Sequence, residues 1–294
     1  MNISEIFKHK KVSYSLEIFP PKKDSSYDVI YNTLLRLRGL PADYISVTYG
    51  AGGSLAQREK TVEIASLIRT HYHIEPVAHI TCVNSSEQDV IDTLVKLKEN
   101  QVMNLMVLRG DISPDIPPKD DFRYASDLAE FIKKREPEFN LVGACYPEGH
   151  YQAASLDEDV QNLQHKIDNG VTHLVSQLFF DNQAFYRFRD LATARGISVP
   201  IVAGIMPITS QRQIERTVAL SGAKVPEKLS RLFAKYANKP EALRDAGIFY
   251  AIEQIMDLID NDIRGIHLYT MNNVDTAYRV SEAIQNVLMA ENMP

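Results

Sequence analysis

The chain has 294 residues, of which 45% are hydrophobic and 24% charged, and its formal net charge is −6 at pH 7. This composition is typical of a globular protein with one large core, and an acidic balance without a long basic block argues against a nucleic-acid-binding surface. No apolar stretch is long enough to span a bilayer and no secretory leader is evident. We therefore expect a cytoplasmic protein without a membrane anchor.

The first strongly apolar stretch contains a carboxylate. Residues 14–21 read Tyr-Ser-Leu-Glu-Ile-Phe-Pro-Pro, which predicts a buried strand that the two prolines end. Glu17 lies inside this strand, where we expect burial to raise its pKa. Two interpretations stay open from this stretch alone: a catalytic acid or base, or a structural carboxylate paired with an Arg or Lys across the sheet.

Apolar, β-branched runs alternate with amphipathic segments along the whole chain. The predicted strands cover residues 14–19, 44–49, 76–82, 104–111, 141–147, 173–180, 200–207 and 265–270. The predicted helices cover residues 28–37, 57–69, 87–100, 125–134, 156–169, 183–195, 211–220, 227–236, 241–259 and 274–289.

Strands of this kind, each followed by a helix, are typical of a parallel sheet covered by helices. Eight such units predict an α/β protein, a single (β/α)8 TIM barrel with extra helices before strand eight. A doubly wound open sheet is the main alternative. It ordinarily has a Gly-rich turn after the first strand, where this chain has Phe19-Pro20-Pro21-Lys22.

Polar side chains collect at the ends of most of the predicted strands. They are Glu17, Thr48, Tyr49, His79, Thr81, Arg109, Asp111, Tyr146, Gln177 and Tyr269, with Glu148 and His150 just beyond strand five. Active sites of (β/α)8 barrels lie at the carboxyl ends of the strands, and a packed interior needs few polar groups. The pattern indicates a large polar ligand spread across the barrel mouth.

Three other patterns carry less information. Asp159, Asn162, His165 and Lys166 share one face of the helix after strand five, and from spacing alone a solvated face is favoured over a ligand-binding one. The glycine-rich residues 50–54 miss the dinucleotide-binding fingerprint, so they form either a phosphate nest or a plain loop. No metal-binding spacing of His or Cys is present, and we expect no metal.

Taken together, short motifs along nearly the whole chain resemble methylenetetrahydrofolate reductase. They are Leu16-Glu17-Ile18-Phe19-Pro20-Pro21, Ser46-Val47-Thr48-Tyr49-Gly50, His79-Ile80-Thr81-Cys82, Leu108-Arg109-Gly110-Asp111, Tyr124-Ala125-Ser126-Asp127-Leu128, Tyr146-Pro147-Glu148, Gln177-Leu178-Phe179-Phe180-Asp181 and Tyr269-Thr270-Met271-Asn272. The chain is similar to the compact bacterial form. The resemblance implies one catalytic barrel domain over residues 1–294 without a regulatory domain.

The resemblance also implies an activity: reduction of 5,10-methylenetetrahydrofolate to 5-methyltetrahydrofolate by NADH or NADPH, in ping-pong fashion through FAD, feeding methionine synthesis. Glu17 would be the general acid that helps open the folate ring. Asp111 would lie beside the flavin and the pterin, and Gln177 would bind the pterin. Thr48 and Tyr269 complete the expected substrate contacts, and bacterial members lead us to expect a homo-oligomer.

The residues implied for FAD come from several strand ends and from the helix after strand five. They are Thr48, Tyr49, Ala51, His79, Arg109, Gly110, Asp111, Tyr124, Ala125, Tyr146, His150, Ala153, Asp159, Asn162, His165 and Lys166. Three positions depart from the family pattern: His165 and Asn273 stand where Arg is common, and Gln211 stands where some members have an aromatic residue.

Two other functions remain open from the residues. A pterin-dependent methyltransferase on the same barrel would also need acidic and amide groups for a folate, but no FAD. A non-catalytic ligand-binding barrel would require Glu17 to be purely structural.

Overall fold

The structure is a computed structural model that describes residues 1–21, 27–49, 55–111 and 119–293. The glycine-rich residues 50–54, which include the predicted FAD contact Ala51, lie outside the described residues, as does most of the proline-rich loop before Lys119.

Eight parallel strands close into a barrel in sequential order, which confirms the predicted (β/α)8 fold. The strands are β1 (Ser13–Ile18), β2 (Tyr44–Val47), β3 (Glu75–Thr81), β4 (Asn104–Leu108), β5 (Asn140–Cys145), β6 (Val171–Ser176), β7 (Ile201–Ile205) and β8 (Gly265–Tyr269). The barrel closes where β1 pairs with β8, a register that sets Ser15 beside His267 and Glu17 beside Tyr269.

The helices surround this barrel. They are α1 (Ile6–His9), α2 (Tyr27–Leu37), α3 (Leu55–Leu67), α4 (Glu87–Glu99), α5 (Ala125–Arg135), α6 (Leu156–Asp168), α7 (Asn182–Ala194), α8 (Gln211–Ser221), α9 (Glu227–Tyr236), α10 (Pro240–Asp260) and α11 (Val274–Glu291). The extra helices before strand eight are α8 to α10, as predicted. Three features were not predicted: a 3-10 turn, Ile3–Glu5, the short α1 that follows it, and a π-helical turn, Ile68–Tyr72, that ends α3.

Side-chain chemistry fixes where several helices begin and end. Ser86 caps α4 in a capping box with Asp89. Gly170 and Gly196 follow α6 and α7 with φ of 93° and 84°, a left-handed backbone that glycine adopts without steric cost. These ends place each helix so that the next strand returns to the barrel.

The N-terminal segment closes one end of the barrel. Ile3 and Ile6 are buried in a cluster with barrel-interior side chains such as Tyr44 and Val175. The Ile3 amide donates to Asn104 Oδ1 at 3.0 Å, which ties the segment to the start of β4. Among the described residues, the cavities that could admit a ligand lie at the opposite end, where the strands finish. No helix in the described parts of the chain is both long and apolar enough to cross a membrane.

Gly204 of β7 provides a stability test of the barrel. A Cβ at this position would lie 2.2 Å from the Ser176 carbonyl oxygen and 2.7 Å from the Tyr269 ring. Because backbone and a buried ring cannot both move aside, we expect Gly204→Ala to lower the free energy of unfolding by about 3 kcal/mol. Denaturant titration measures the change.

The matched control is Gly222→Ala at the end of α8. Its Cβ would meet nothing within 4 Å, so only the left-handed backbone, with φ of 68°, opposes it. We expect a loss of about 1 kcal/mol. Equal losses in the two variants would show that the packing between β6, β7 and Tyr269 is not as tight as described.

Candidate active site

Two connected cavities open at the carboxyl ends of the strands. The barrel-mouth cavity has a volume of about 360 Å³ and the side cavity, which extends toward α5 and α6, has about 630 Å³. Leu108, Arg109, Ala144, Tyr146 and His150 line both of them. The two cavities therefore adjoin at a shared wall, here called the waist, that includes the polar residues Arg109, Tyr146 and His150.

The predicted site residues divide between the cavities. Glu17, Thr48, Tyr49, His79, Arg109, Gly110, Asp111, Tyr146, His150, Gln177 and Tyr269 line the barrel-mouth cavity. Arg109, Tyr124, Ala125, Tyr146, His150, Ala153, Asp159, Asn162, His165 and Lys166 line the side cavity. The structure thus brings together every described residue that the family resemblance implies for FAD or folate, whereas Glu148, which also follows strand five, lines neither cavity; the roles of these residues toward ligands stay predictions.

Glu17 lies deep in the barrel-mouth cavity, with 17% of its side chain exposed. Its Oε2 is 3.4 Å from His267 Nε2, 3.5 Å from His79 Nε2 and 3.4 Å from Ser46 Oγ. No Arg or Lys among the described residues forms an ion pair with it, so the structural interpretation of an Arg or Lys partner is not supported.

The expected rise in the pKa of Glu17 is wrong. Burial acts to raise this pKa, but the hydrogen bonds from His267 and from the Ser46 hydroxyl hold it below its ordinary value. Sequence reasoning considered burial without these partners. The carboxylate is therefore ionised in the free protein at neutral pH.

His79 is a neutral imidazole in this environment. Burial lowers its pKa to about 4, with the nearby Glu17 carboxylate opposing the shift. Its buried Nε2 makes no hydrogen bond in the described structure, and the residue faces the barrel-mouth cavity. A neutral ring with an unbonded nitrogen can donate to or accept from a ligand here.

Arg109 forms the waist between the cavities. Its guanidinium donates to Tyr151 Oη at 3.0 Å and to Gln152 Oε1, while its buried Nε has no partner in the described structure. Gly110 follows with φ of +84°, and a Cβ there would lie 3.0 Å from Thr81 Cβ. The end of β4 thus presents the cationic Arg109, with one unbonded N–H donor, next to Gly110, which has no side chain. This combination suits a phosphate or the electron-rich edge of a ring.

Helix α6 supplies the far wall of the side cavity. Lys166 Nζ donates to the Ala144 carbonyl at 2.8 Å, and burial lowers its pKa. Asp159 Oδ2 accepts from the His150 amide at 3.0 Å, and burial raises the pKa of this carboxyl. Asn162 and His165 are exposed at the rim. On this face of α6, Asp159 and Lys166 therefore bond to backbone groups of β5 and the residues after it, whereas Asn162 and His165 are exposed. Spacing alone favoured a fully solvated face.

Gln177 and Tyr269 stand at the ends of β6 and β8. Gln177 Oε1 accepts from the Leu178 amide at 2.9 Å, while no described residue accepts from its side-chain nitrogen. Tyr269 donates its hydroxyl to the Ser176 carbonyl at 2.7 Å. Gln177 is therefore fixed with its donor end free, and Tyr269 presents its ring to the cavity.

The three departures from the family pattern lie in different places. Gln211 begins α8, donates to Glu215 at 3.0 Å and lines neither cavity. Asn273 caps α11 by accepting from the Thr276 amide at 3.1 Å. His165 is the one of the three that lines a cavity. Gln211 and Asn273 thus make their hydrogen bonds within the first turns of α8 and α11.

Sequence reasoning missed a buried arginine behind the site. Arg58 of α3 is 7% exposed, and its Nε donates to Tyr49 Oη at 2.7 Å. Its Nη2 donates to Ser85 Oγ at 3.0 Å and its Nη1 pairs with Asp89 at 3.1 Å. Arg58 lies on a helix, where an arginine ordinarily indicates a solvated position, so the sequence carried no signal for this role.

Exposed rim residues were missed as well. Leu220 and Ser221 at the end of α8 line the barrel-mouth cavity, and Leu220 is 76% exposed. They come from the extra helices, whose placement over the mouth is a tertiary feature. In the described parts of the chain, no group of three or more His, Cys, Asp or Glu side chains is arranged to hold a metal ion.

Fold and site together define a (β/α)8-barrel protein with two cavities at the carboxyl ends of its strands, both lined in part by polar side chains. The sequence profile of methylenetetrahydrofolate reductase matches residues 2–285, and the chain belongs to this family. Membership places it among the enzymes that reduce methylenetetrahydrofolate and gives no support to the methyltransferase or the non-catalytic alternative.

Relatives of known name agree. The chain is 31% identical to the 5,10-methylenetetrahydrofolate reductase of Pectobacterium carotovorum over 93% of this chain and 90% of that protein. It is 28% identical to the Escherichia coli enzyme over 93% and 91% of the two chains. Against methylenetetrahydrofolate reductase 1 of Schizosaccharomyces pombe it is 34% identical and covers 46% of that protein.

A solved structure has the same fold. An uncharacterized protein from Clostridium thermocellum, described as binding two copies of 5-methyl-5,6,7,8-tetrahydrofolic acid, aligns with a TM-score of 0.73. The alignment covers 98% of this chain and all of that one at 14% identity. At this identity the likeness concerns the fold alone.

The Arg58 network yields a prediction about pH. Burial acts to raise the pKa of Asp89, but hydrogen bonds from Lys119 and Ser86 and the charge of Arg58 hold it far below its ordinary value. Asp89 therefore stabilises the fold above the unfolded pKa of about 4, and this contribution is lost as pH falls further. We expect Asp89→Asn to cost about 1–2 kcal/mol at pH 7 and progressively less below pH 4.

Denaturant unfolding between pH 2 and pH 8 measures this difference. Asp92→Asn is the matched control, because Asp92 lies on the same helix but is exposed and bonded to Gln88. It should change stability little at any pH. A loss in Asp89→Asn that stays constant down to pH 2 would contradict the network.

Proposed function

We propose that the protein is an FAD-dependent cytoplasmic reductase that converts 5,10-methylenetetrahydrofolate into 5-methyltetrahydrofolate with hydride from NADH or NADPH. The product would feed methionine synthesis, and a homo-oligomer is the expected assembly. The observation that carries the proposal is the position of the Glu17 carboxylate within the barrel-mouth cavity, which continues through Arg109 into the side cavity.

The residues present fit FAD. An elongated two-part cofactor needs two connected spaces, and the shared lining residues Tyr146 and His150 connect them. The buried Nε of Arg109, at the waist, has no hydrogen-bond partner among the described residues, and its N–H would donate to an acceptor atom of FAD. Lys166, Asn162 and His165 would hold the nucleotide half in the side cavity. FAD bound here would supply the chemistry of hydride transfer between the nicotinamide and the folate.

The barrel-mouth cavity supplies the chemistry toward folate. Glu17 would donate a proton to the ring nitrogen whose bond to the methylene carbon breaks, which leaves a cationic iminium ready to accept hydride. Asp111, at the same cavity, would stabilise that cation. The free side-chain nitrogen of Gln177 would donate to the pterin. Because the cavity is small, the nicotinamide and the folate would use it in turn, which supports a ping-pong order.

Glu17 must gain its proton in the complex, because it is ionised in the free protein. A substrate that covers the mouth removes the remaining exposure of the side chain. Desolvation then raises the pKa of Glu17 and favours the acid form. The lowered pKa of Glu17 in the free protein is therefore compatible with its role as an acid, because the carboxylate gains its proton in the complex.

The test separates the two half-reactions. Purified protein is supplied with FAD, its visible spectrum is recorded, and it is mixed without oxygen first with NADH or NADPH and then with methylenetetrahydrofolate. We expect flavin absorbance, its bleaching by the nicotinamide and its recovery with the folate. Protein that does not take up FAD, or bleached protein that the folate does not restore, would refute the proposal.

Glu17→Gln tests the acid within this scheme. We expect bleaching by the nicotinamide to proceed, since that step needs no proton from Glu17, and recovery with the folate to slow by about 100-fold or more. Glu148→Gln is the matched control: Glu148 also follows a strand end, but it accepts from the Lys224 amide and lines neither cavity. Equal recovery rates in both variants would remove Glu17 from the mechanism.

A further inference from the structure

A buried histidine lies directly behind Glu17. His267 of β8 has no exposed surface, and its Nε2 is 3.4 Å from Glu17 Oε2 and 3.3 Å from Ser46 Oγ. On the other side of the ring, Nδ1 is 2.7 Å from Ser15 Oγ. The three residues Ser15, His267 and Glu17, here called the proton array, run from the barrel interior to the cavity.

Hydrogen-bond geometry favours one tautomer of His267. The Ser46 hydroxyl donates to Glu17 Oε2, so its oxygen is free to accept from the ring. The Ser15 hydroxyl has two acceptors within reach, His267 Nδ1 at 2.7 Å and the Ile266 carbonyl oxygen at 3.4 Å, and donation along the shorter contact, to Nδ1, is the stronger hydrogen bond. The ring proton is then on Nε2, where it faces Ser46 Oγ and the ionised carboxylate of Glu17.

We propose that His267 is a positioning residue: it donates its Nε2–H to the Glu17 carboxylate and so sets the pH range over which Glu17 can act as an acid toward folate. The proposal rests on the reductase function above and extends it to a residue that does not line either cavity. When Glu17 gives its proton to the folate nitrogen, the carboxylate that remains is stabilised by this N–H, while the proton stays on the substrate.

Other groups around Glu17 do not duplicate this arrangement. His79 of β3 faces the same oxygen at 3.5 Å, but it lines the cavity, and its Nε2 has no hydrogen bond to any described residue. Tyr44 of β2 and Tyr269 of β8 approach as neutral phenols, because burial raises the pKa of each hydroxyl. Arg109 and Asp111 face the cavity from beyond β4.

The consequence concerns the pH profile of the folate half-reaction. Its rate falls as pH rises through the pKa that Glu17 has in the complex, because only the protonated acid donates. Loss of the His267 N–H destabilises the carboxylate, so the proton is held to higher pH. We expect His267→Asn to move the midpoint of this fall upward by about one pH unit, and to slow the maximal rate about 10-fold because the carboxyl is less well oriented.

The experiment measures flavin recovery with folate against pH in the FAD-loaded protein, after reduction by the nicotinamide. His173→Asn is the matched control, since His173 is equally buried inside the barrel but contacts Thr172 and the Phe7 ring instead of Glu17. Its profile should coincide with that of the unmodified protein. Ser15→Ala, a smaller change, tests the proton array if His267→Asn does not fold, and should move the midpoint in the same direction by less.

The outcomes are distinct. Upward shifts in His267→Asn or Ser15→Ala, with none in His173→Asn, support the proposal. A profile in these two variants identical to that of the unmodified protein, or an equal shift in His173→Asn, overturns it. Failure of the unmodified protein to be reduced by the nicotinamide or reoxidised by the folate would instead refute the reductase function, before His267 is tested.

Discussion

The site depends on one interaction, the contact between the Glu17 carboxylate and the imidazole of His267. The two residues are separated by 250 positions in the chain and meet only because β1 pairs with β8 when the barrel closes. An ionised carboxylate inside an apolar barrel is costly without partners, and these partners come from the polar interior of the barrel itself. Closure of the fold and protonation of the acid are thus coupled through the same pair of strands.

Other parts of the fold support the contact between Glu17 and His267. The N-terminal residues Ile3 and Ile6 pack into the other end of the barrel, and the carboxylate faces the cavity at the mouth. Gly204 lets the Tyr269 ring pack against β7 close to Glu17. Arg58 holds Tyr49 from behind the wall, and Arg109 joins the two cavities. A proton donor beside a long cofactor needs a rigid support and adjoining space for the cofactor. Strand β1 supports Glu17, and the two cavities provide the space.

The sequence predicted the barrel and the residues that line its mouth, because parallel strands bring their carboxyl ends to one side and Glu17, Arg109 and Gln177 each stand at such an end. It could not predict the state of Glu17. His267 lies two positions before the end of its strand, and strand periodicity alone does not show which residue across the closing seam it meets. Arg58 was missed for a related reason: a helix position gives no sign that its side chain reaches under a loop.

The ionisation of Glu17 in the free protein tests this account most directly. Infrared difference spectroscopy of the unmodified protein against Glu17→Gln isolates the signal of that carboxyl as pH is varied. We expect carboxylate bands at neutral pH that give way to a carboxylic acid band only below the ordinary pKa range of a glutamate. A carboxylic acid band at neutral pH in the free protein would show that burial outweighs the hydrogen bonds from His267 and Ser46, and would contradict the account.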